Sequence, residues 1–87
     1  MLTMAERRAK RRTIENVMKT RRTNLAILAG MNGGWAGLAS RIGVAPQHLT
    51  NIAGPNPRRP MTEKTARKWE ELLRLPSGWF DKAQSIT

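Results

Sequence analysis

The stretch from residue 35 to residue 54, WAGLASRIGVAPQHLTNIAG, constrains the fold of this chain more than any other. Ala39 is small enough to lie where two helices cross closely, and Gly43, four residues later, fits a turn with φ > 0. Branched apolar residues surround that pair and can fix the crossing: Leu38, Ile42, Val44, Leu49 and Ile52. The segment therefore predicts two short packed helices, one from Trp35 to Arg41 and one from Pro46 to about Ala53.

Net charge narrows the class of partner. The 87 residues include 16 Lys and Arg against six Asp and Glu, a formal net charge of +10. Such a charge on one small domain favours a polyanionic partner, and charge alone leaves DNA, RNA and a membrane surface open. The absence of cysteine excludes disulfides and thiolate metal sites. No apolar run approaches a membrane span of about 18 residues, so we expect an intracellular protein that does not enter a membrane.

Half of the basic residues lie in the first 22 positions. Thr3 and Glu6 fit a capping box, so a helix can begin near Met4. Residues 4–12, however, offer almost no apolar surface for packing. We therefore expect residues 1–12 to form a basic arm, either as an exposed helix or as a segment that orders on DNA, with a solvated tail as the alternative. The basic residues of the arm are Arg7, Arg8, Lys10, Arg11 and Arg12.

Apolar periodicity begins at Ile14 and predicts a first core helix that ends near Ala29 and Gly30. Its buried stripe is expected to be Ile14, Val17, Met18, the stem of Arg21, Leu25 and Leu28. Residues 54–61, GPNPRRPM, predict a stiff basic loop, because they contain three prolines and no periodicity.

A fourth helix is predicted after Thr62, which is a good N-cap. We expect a short fifth helix to follow Ser77, with Trp79 or Phe80 folded back on the core. The expected buried stripe of the fourth helix is Ala66, Trp69, Leu72 and Leu73, and its expected surface charges are Glu63, Glu70 and Glu71, with Glu63–Arg67 and Glu70–Arg74 as pairs. The prediction is an all-α protein of five helices, with one domain over residues 13–82 and a tail over residues 83–87.

The exposed face of the third helix is polar and uncharged. At 100° per residue, Leu49 and Ile52 define the buried side, and Gln47, Thr50 and Asn51 lie opposite. Gln and Asn can bond an adenine edge, and a Thr methyl can contact the methyl of thymine. A merely solvated helix in so basic a chain would more commonly carry Lys, Arg or Glu. The face therefore favours base reading in double-stranded DNA.

Residues 14–82 resemble the Cro and lambda-repressor-like helix-turn-helix family of phage repressors and related bacterial regulators. The resemblance rests on LASRIGVAPQHLTNI, on RRPMTEKTARKWEELLRLP and on PSGWFD. It implies a five-helix domain that binds operator DNA, usually as a homodimer, with the third helix in the major groove. By position it assigns base reading to Ala45, Pro46, Gln47, Thr50 and Asn51, and it matches Arg58 and Arg59 to a loop that commonly contacts phosphate. We also expect phosphate contact from Trp35, Lys64 and His48, with contact to water alone as the alternative for His48.

Two positions depart from the family pattern. Trp35 stands where the family often has a phosphate-bonding Gln; its indole N–H can still donate to phosphate, and a core or rim aromatic is the other interpretation. Ala45 replaces the usual Ser or Thr cap of the reading helix and forgoes about 1 kcal/mol of capping.

These observations predict a sequence-specific transcriptional regulator, a phage or mobile-element repressor that binds a palindromic operator as a homodimer in the bacterial cytoplasm and nucleoid. The alternative is an antitoxin or an architectural interaction protein with weak sequence preference, and RNA binding by the arginine-rich helix is a third interpretation. No catalytic set, phosphate loop or metal-ligand cluster is present, and His48 is the sole histidine. We therefore expect no enzyme activity, no cofactor, no metal and no small-molecule ligand.

Overall fold

A computed structural model describes the backbone of residues 3–84 and the side chains of residue 3 and residues 16–84. Within this range the chain contains helices and no strand, which confirms the all-α prediction. The predicted fifth helix is a single turn of 3-10 helix. The elements are α1 (Met4–Met31), α2 (Trp35–Ile42), α3 (Pro46–Ala53), α4 (Glu63–Leu72) and the C-terminal 3-10 turn (Trp79–Asp81).

Helix α1 is longer than the predicted first core helix. It runs without a break for 28 residues, which corresponds to about 42 Å. The sequence explains this length, because good helix formers fill the segment and no Pro or Gly precedes Gly30. The backbone of residues 4–12 of the predicted arm is thus the first part of α1. The side chains of these residues and of Ile14 lie outside the described residues, as do residues 1 and 2. None of the described helices has the length and apolar content needed to cross a membrane.

The connection between α2 and α3 follows the prediction closely. Gly43 adopts φ 89°, in the left-handed region that favours glycine, and its N–H donates to Ala39 O at 2.8 Å. The N–H of Val44 donates to the same oxygen at 3.0 Å. Pro46 opens α3 at its first turn, as predicted. Local sequence signals therefore fix the angle between the two helices.

The core joins all four helices and the C-terminal turn. Its buried members are Leu25, Leu28, Ala29, Leu38, Ala39, Ile42, Leu49, Ile52, Met61, Ala66, Trp69, Leu73 and Phe80. Val17 and Met18, which were expected in the buried stripe of the first helix, are only half-buried. Two further residues correct the prediction. Met61, which belongs to the predicted loop, is buried, whereas Leu72 is 51% exposed. Around the helix axis, Leu72 lies about 120° from the buried Ala66, whereas Glu70 lies only about 40° from it. Glu70 is therefore buried at the position that Leu72 was expected to fill.

Glu70 is a buried structural group, so the prediction of a surface charge was wrong. Its carboxylate accepts hydrogen bonds from Gly78 N at 3.0 Å and Phe80 N at 2.9 Å. The carboxylate also pairs with Arg67 at 3.2 Å. The predicted pairs Glu63–Arg67 and Glu70–Arg74 do not form among the described side chains, because Arg67 turns to Glu70 and Arg74 lies beyond the end of α4 with φ 58°.

Arg21 is buried with its charged group as well as its stem, which also corrects the prediction. Its Nε donates to Asp81 Oδ1 at 2.6 Å, and its Nη1 donates to Met61 O at 2.9 Å. Asp81 also accepts from Arg67 Nη2 at 2.7 Å. The hydrogen bond from Arg21, supported by the nearby charges of Arg21 and Arg67, holds the pKa of Asp81 below its usual value. Asp81 thus ties α1 and α4 to the C-terminal turn.

Asn24 makes a second connection between α1 and the C-terminal segment. Its Nδ2 donates to Phe80 O at 2.9 Å and to Lys82 O at 2.7 Å. Both partners are carbonyl oxygens, so the orientation of the amide is fixed. The far end of the chain is therefore held on α1, on which α2 and α3 also pack.

Candidate nucleic-acid interface

Helix α3 packs one side against the core and exposes the other side to solvent. Leu49 is fully buried and Ile52 is 3% exposed, whereas Gln47 is exposed and Thr50 and Asn51 are half-buried. Ala45 precedes the helix in an extended conformation and supplies no side-chain cap, as its sequence predicts. Consequently the three polar residues predicted to read bases share the outer face of a helix that is fixed from behind.

The two amides on this face are bonded to each other. Gln47 Nε2 donates to Asn51 Oδ1 at 3.0 Å, one helical turn apart. This bond leaves Gln47 Oε1 as an acceptor and Asn51 Nδ2 as a donor toward solvent. The Thr50 hydroxyl donates to Gln47 O at 3.1 Å, which restrains its rotamer. One acceptor and one donor on neighbouring side chains are the groups needed to bond the N6 and N7 edge of adenine in the major groove.

The loop after α3 is attached to the same residue. The Asn51 carbonyl oxygen accepts from Arg58 N at 2.6 Å and from Arg59 N at 3.0 Å. Gly54 allows the loop to begin close to the last turn of α3, because a Cβ at this position would lie only 2.6 Å from Thr50 O. The side chain of Asn51 lies on the outer face of α3, and its backbone carbonyl oxygen holds the loop at Arg58 and Arg59. This one residue therefore connects the polar face to the loop.

A polar groove runs between the outer face of α3 and this loop. Its volume of ≈ 210 Å³ is below the usual range of small-molecule pockets. The groove is lined by Gln47, Thr50, Asn51, Pro55, Asn56 and Arg58. Asn56 was not singled out in the sequence, although an Asn directly after the reading helix in a proline-stiffened loop is a usable signal.

The remaining predicted site residues whose side chains the structure describes lie outside the groove. Trp35 is half-buried and packs against the core, which fits the interpretation as a rim aromatic. His48 is exposed on the flank of α3, and its ring meets Trp69 edge-on at 5.7 Å. The others are exposed: Ala45, Pro46, Arg59 and Lys64. The structure therefore brings four of the predicted residues together, namely Gln47, Thr50, Asn51 and Arg58.

Within the part of the chain that the structure describes, no group of three or more His, Cys, Asp or Glu side chains could hold a metal ion.

Searches of protein-family models, curated proteins and solved structures found no match to this chain, so the functional proposal rests on the sequence and on the geometry of this site.

Proposed function

We propose that this protein is a sequence-specific DNA-binding transcriptional regulator of the Cro and lambda-repressor-like type, in which α3 reads base edges in the major groove. The observation that carries the proposal is the neutral polar face of α3 in a chain of net charge +10. Lys and Arg neutralise the charge of phosphate, whereas Gln47, Thr50 and Asn51 supply neutral hydrogen-bond groups suited to base edges. Arg58 lines the groove beside this face.

The shape of α3 and its packing on α2 support the same role. An α-helix with its side chains is about 10–12 Å in diameter, which fits a major groove about 12 Å wide, and the eight residues of α3 give it about two turns. Helix α2 packs behind α3 and holds it at a fixed angle through the Gly43 turn. A fixed reading helix loses little conformational freedom on binding, which favours discrimination between sequences.

One α3 spans only a few base pairs, so a single copy reads a short half-site. Specific binding of useful strength generally combines two half-sites about one helical turn apart. We therefore propose that the protein acts as a homodimer on a palindromic operator. Repression of a phage or mobile-element promoter is the regulatory role that the resemblance implies.

Selection from a random pool tests the proposal directly. The full chain is incubated with duplexes that carry a randomised 26-base-pair window, at about 150 mM salt, and bound duplexes are sequenced after several rounds. We expect an inverted repeat whose half-sites contain adenine, with weak binding to a matched RNA duplex. Duplexes that bind with no enriched sequence would favour the architectural alternative, and preferential binding of RNA would reject the proposal.

Base reading by the amide pair is testable with Q47A and N51A. Each substitution should reduce affinity for the selected site by about 1–3 kcal/mol and leave affinity for random DNA nearly unchanged. Because the two amides bond each other, the double variant should lose less than the sum of the single losses. The control is N16A, which removes an exposed amide from α1 and should keep the selected sequence. Equal losses on selected and random duplexes would contradict base reading.

Phosphate contact by the loop is testable with R59A. Arg59 is exposed and lies outside the groove, so its role would be a contact to the DNA backbone. In the homodimer the substitution removes one such contact from each protomer, so the slope of log K against log salt should become shallower by about 1.8, equally on all sequences. The charge-conserving variant R59K should retain the slope. An unchanged slope in R59A would assign Arg59 to solvent.

A further inference from the structure

We infer that Arg58 is a specificity-determining residue that reads the O6 and N7 edge of a guanine beside the base read by the Gln47–Asn51 pair, whereas Arg59 contacts phosphate alone. The inference rests on the proposed function and deepens it. The family resemblance assigns both arginines to a loop that commonly contacts phosphate. The structure separates them.

The separation is a matter of placement. Arg58 lines the polar groove together with Gln47, Thr50 and Asn51, and Arg59 does not. The N–H of Arg58 donates to Asn51 O at 2.6 Å, which fixes the start of its side chain at the C-terminal end of α3. Arg58 and the two amide residues, Gln47 and Asn51, therefore line one groove.

The Arg58 side chain is available for a ligand. It is exposed, and no hydrogen bond or ion pair joins its guanidinium to another residue in the described part of the chain. Pro57 and Pro60 flank the two arginines and restrict the backbone of the loop. The position of Arg58 is thus fixed before binding while its charged end is unpaired, and this combination reduces the entropy lost on contact.

The chemistry of the groove indicates the base. Amide and hydroxyl groups of α3 can recognise an A·T pair, but α3 itself carries no Lys or Arg. The commonest specific reader of guanine is an arginine, whose planar fork bonds O6 and N7 together. Arg58 is the one cationic residue that lines this groove among the described residues, so it supplies the group that α3 lacks.

The experiment compares neighbouring arginines as matched controls. Wild type, R58A, R58K and R59A are each taken through the random-duplex selection, and their affinities are then measured on the wild-type site and on its single-base-pair variants. We expect wild type to require a G·C pair next to the adenine, with a loss of at least about 5-fold on substitution of that pair. R58A should lose this preference at that position and keep the others. R58K should also lose it, because an ammonium cannot bond the guanine edge as a fork.

R59A should weaken binding on every sequence alike and keep the preference for G·C. If R58A also weakens all sequences in parallel, Arg58 contacts phosphate and the inference is wrong, although the selected wild-type site would still support the proposed function. If wild type selects no sequence, the proposed function and the inference both fail. Thermal unfolding of R58A and R59A should match wild type, because the loop is held through backbone N–H groups that both variants retain.

Discussion

Replacing Asp81 by Asn should lower the free energy of unfolding by about 3 kcal/mol. The carboxylate is the shared partner of Arg21, whose side chain is 7% exposed, and of Arg67 on α4. An amide of the same shape carries no charge, so the buried charge of Arg21 is left uncompensated. The amide also replaces one acceptor oxygen by an NH₂ group, so at least one hydrogen bond from an arginine is lost. For a domain of this size such a loss corresponds to a fall in Tm of roughly 15 °C, which thermal unfolding by circular dichroism would measure.

The control for this variant is E71Q, which removes the same charge from an exposed position on α4. It should change the free energy of unfolding by less than about 0.5 kcal/mol. If D81N is no less stable than E71Q, the contacts of Asp81 add nothing to the folded state, and the C-terminal turn is held by Asn24, Glu70 and apolar packing alone.

The pH dependence of stability gives an independent check on the same carboxylate. Because the folded pKa of Asp81 is lowered, its contribution is present above the unfolded pKa of about 4 and is lost as the pH falls through the lower folded value. The free energy of unfolding of wild type should therefore decline below about pH 4. D81N should show a shallower decline over the same range, and an unchanged decline would assign the effect to other carboxyl groups.

The parts of the fold that could be predicted from the sequence depend on neighbouring residues. Gly43, Pro46 and Thr62 each act within a few positions along the chain, through a left-handed turn, a fixed φ and a cap. The outer face of α3 followed from the same local rule, since Leu49 and Ile52 establish which side is buried. These features are visible in one short window, so periodicity and capping rules were sufficient.

The parts that could not be predicted depend on distant residues. Arg21 meets Asp81 across 60 positions, and Glu70 accepts N–H groups from Gly78 and Phe80, which approach it only once the chain has turned back. A charged side chain in an amphipathic helix usually faces solvent, so Glu70 gave no sign of burial and Leu72 was expected in its place. The site shows the same limit, because only the folded loop distinguishes Arg58 from Arg59.

Neutralising the basic arm should weaken DNA binding more than any single substitution at the loop. The variant R7Q/R8Q/K10Q/R11Q/R12Q removes five cations while keeping good helix formers in the first part of α1. If all five contact phosphate, the slope of log K against log salt becomes shallower by about 4.5 for each bound protomer, since each contact contributes about 0.9. Between 50 and 200 mM salt each bound protomer of the wild type would then lose roughly 500-fold more affinity than one of the variant. Fluorescence anisotropy over a salt series measures both quantities.

Two comparisons separate a DNA-contacting arm from a solvated tail and from a structural element. The described buried residues of α1 begin at Arg21 and Leu25, so both the neutralised variant and a deletion of residues 1–12 should retain the thermal stability of wild type. Phosphate contacts position the protein without reading sequence, so the neutralised variant should select the same site as wild type. An unchanged affinity and salt slope would show that the arm makes no contact with DNA. If the deletion variant unfolds and the neutralised variant stays folded, residues 1–12 support the fold. The neutralised variant keeps these residues as helix formers and loses only their charge, so the difference would come from the missing segment.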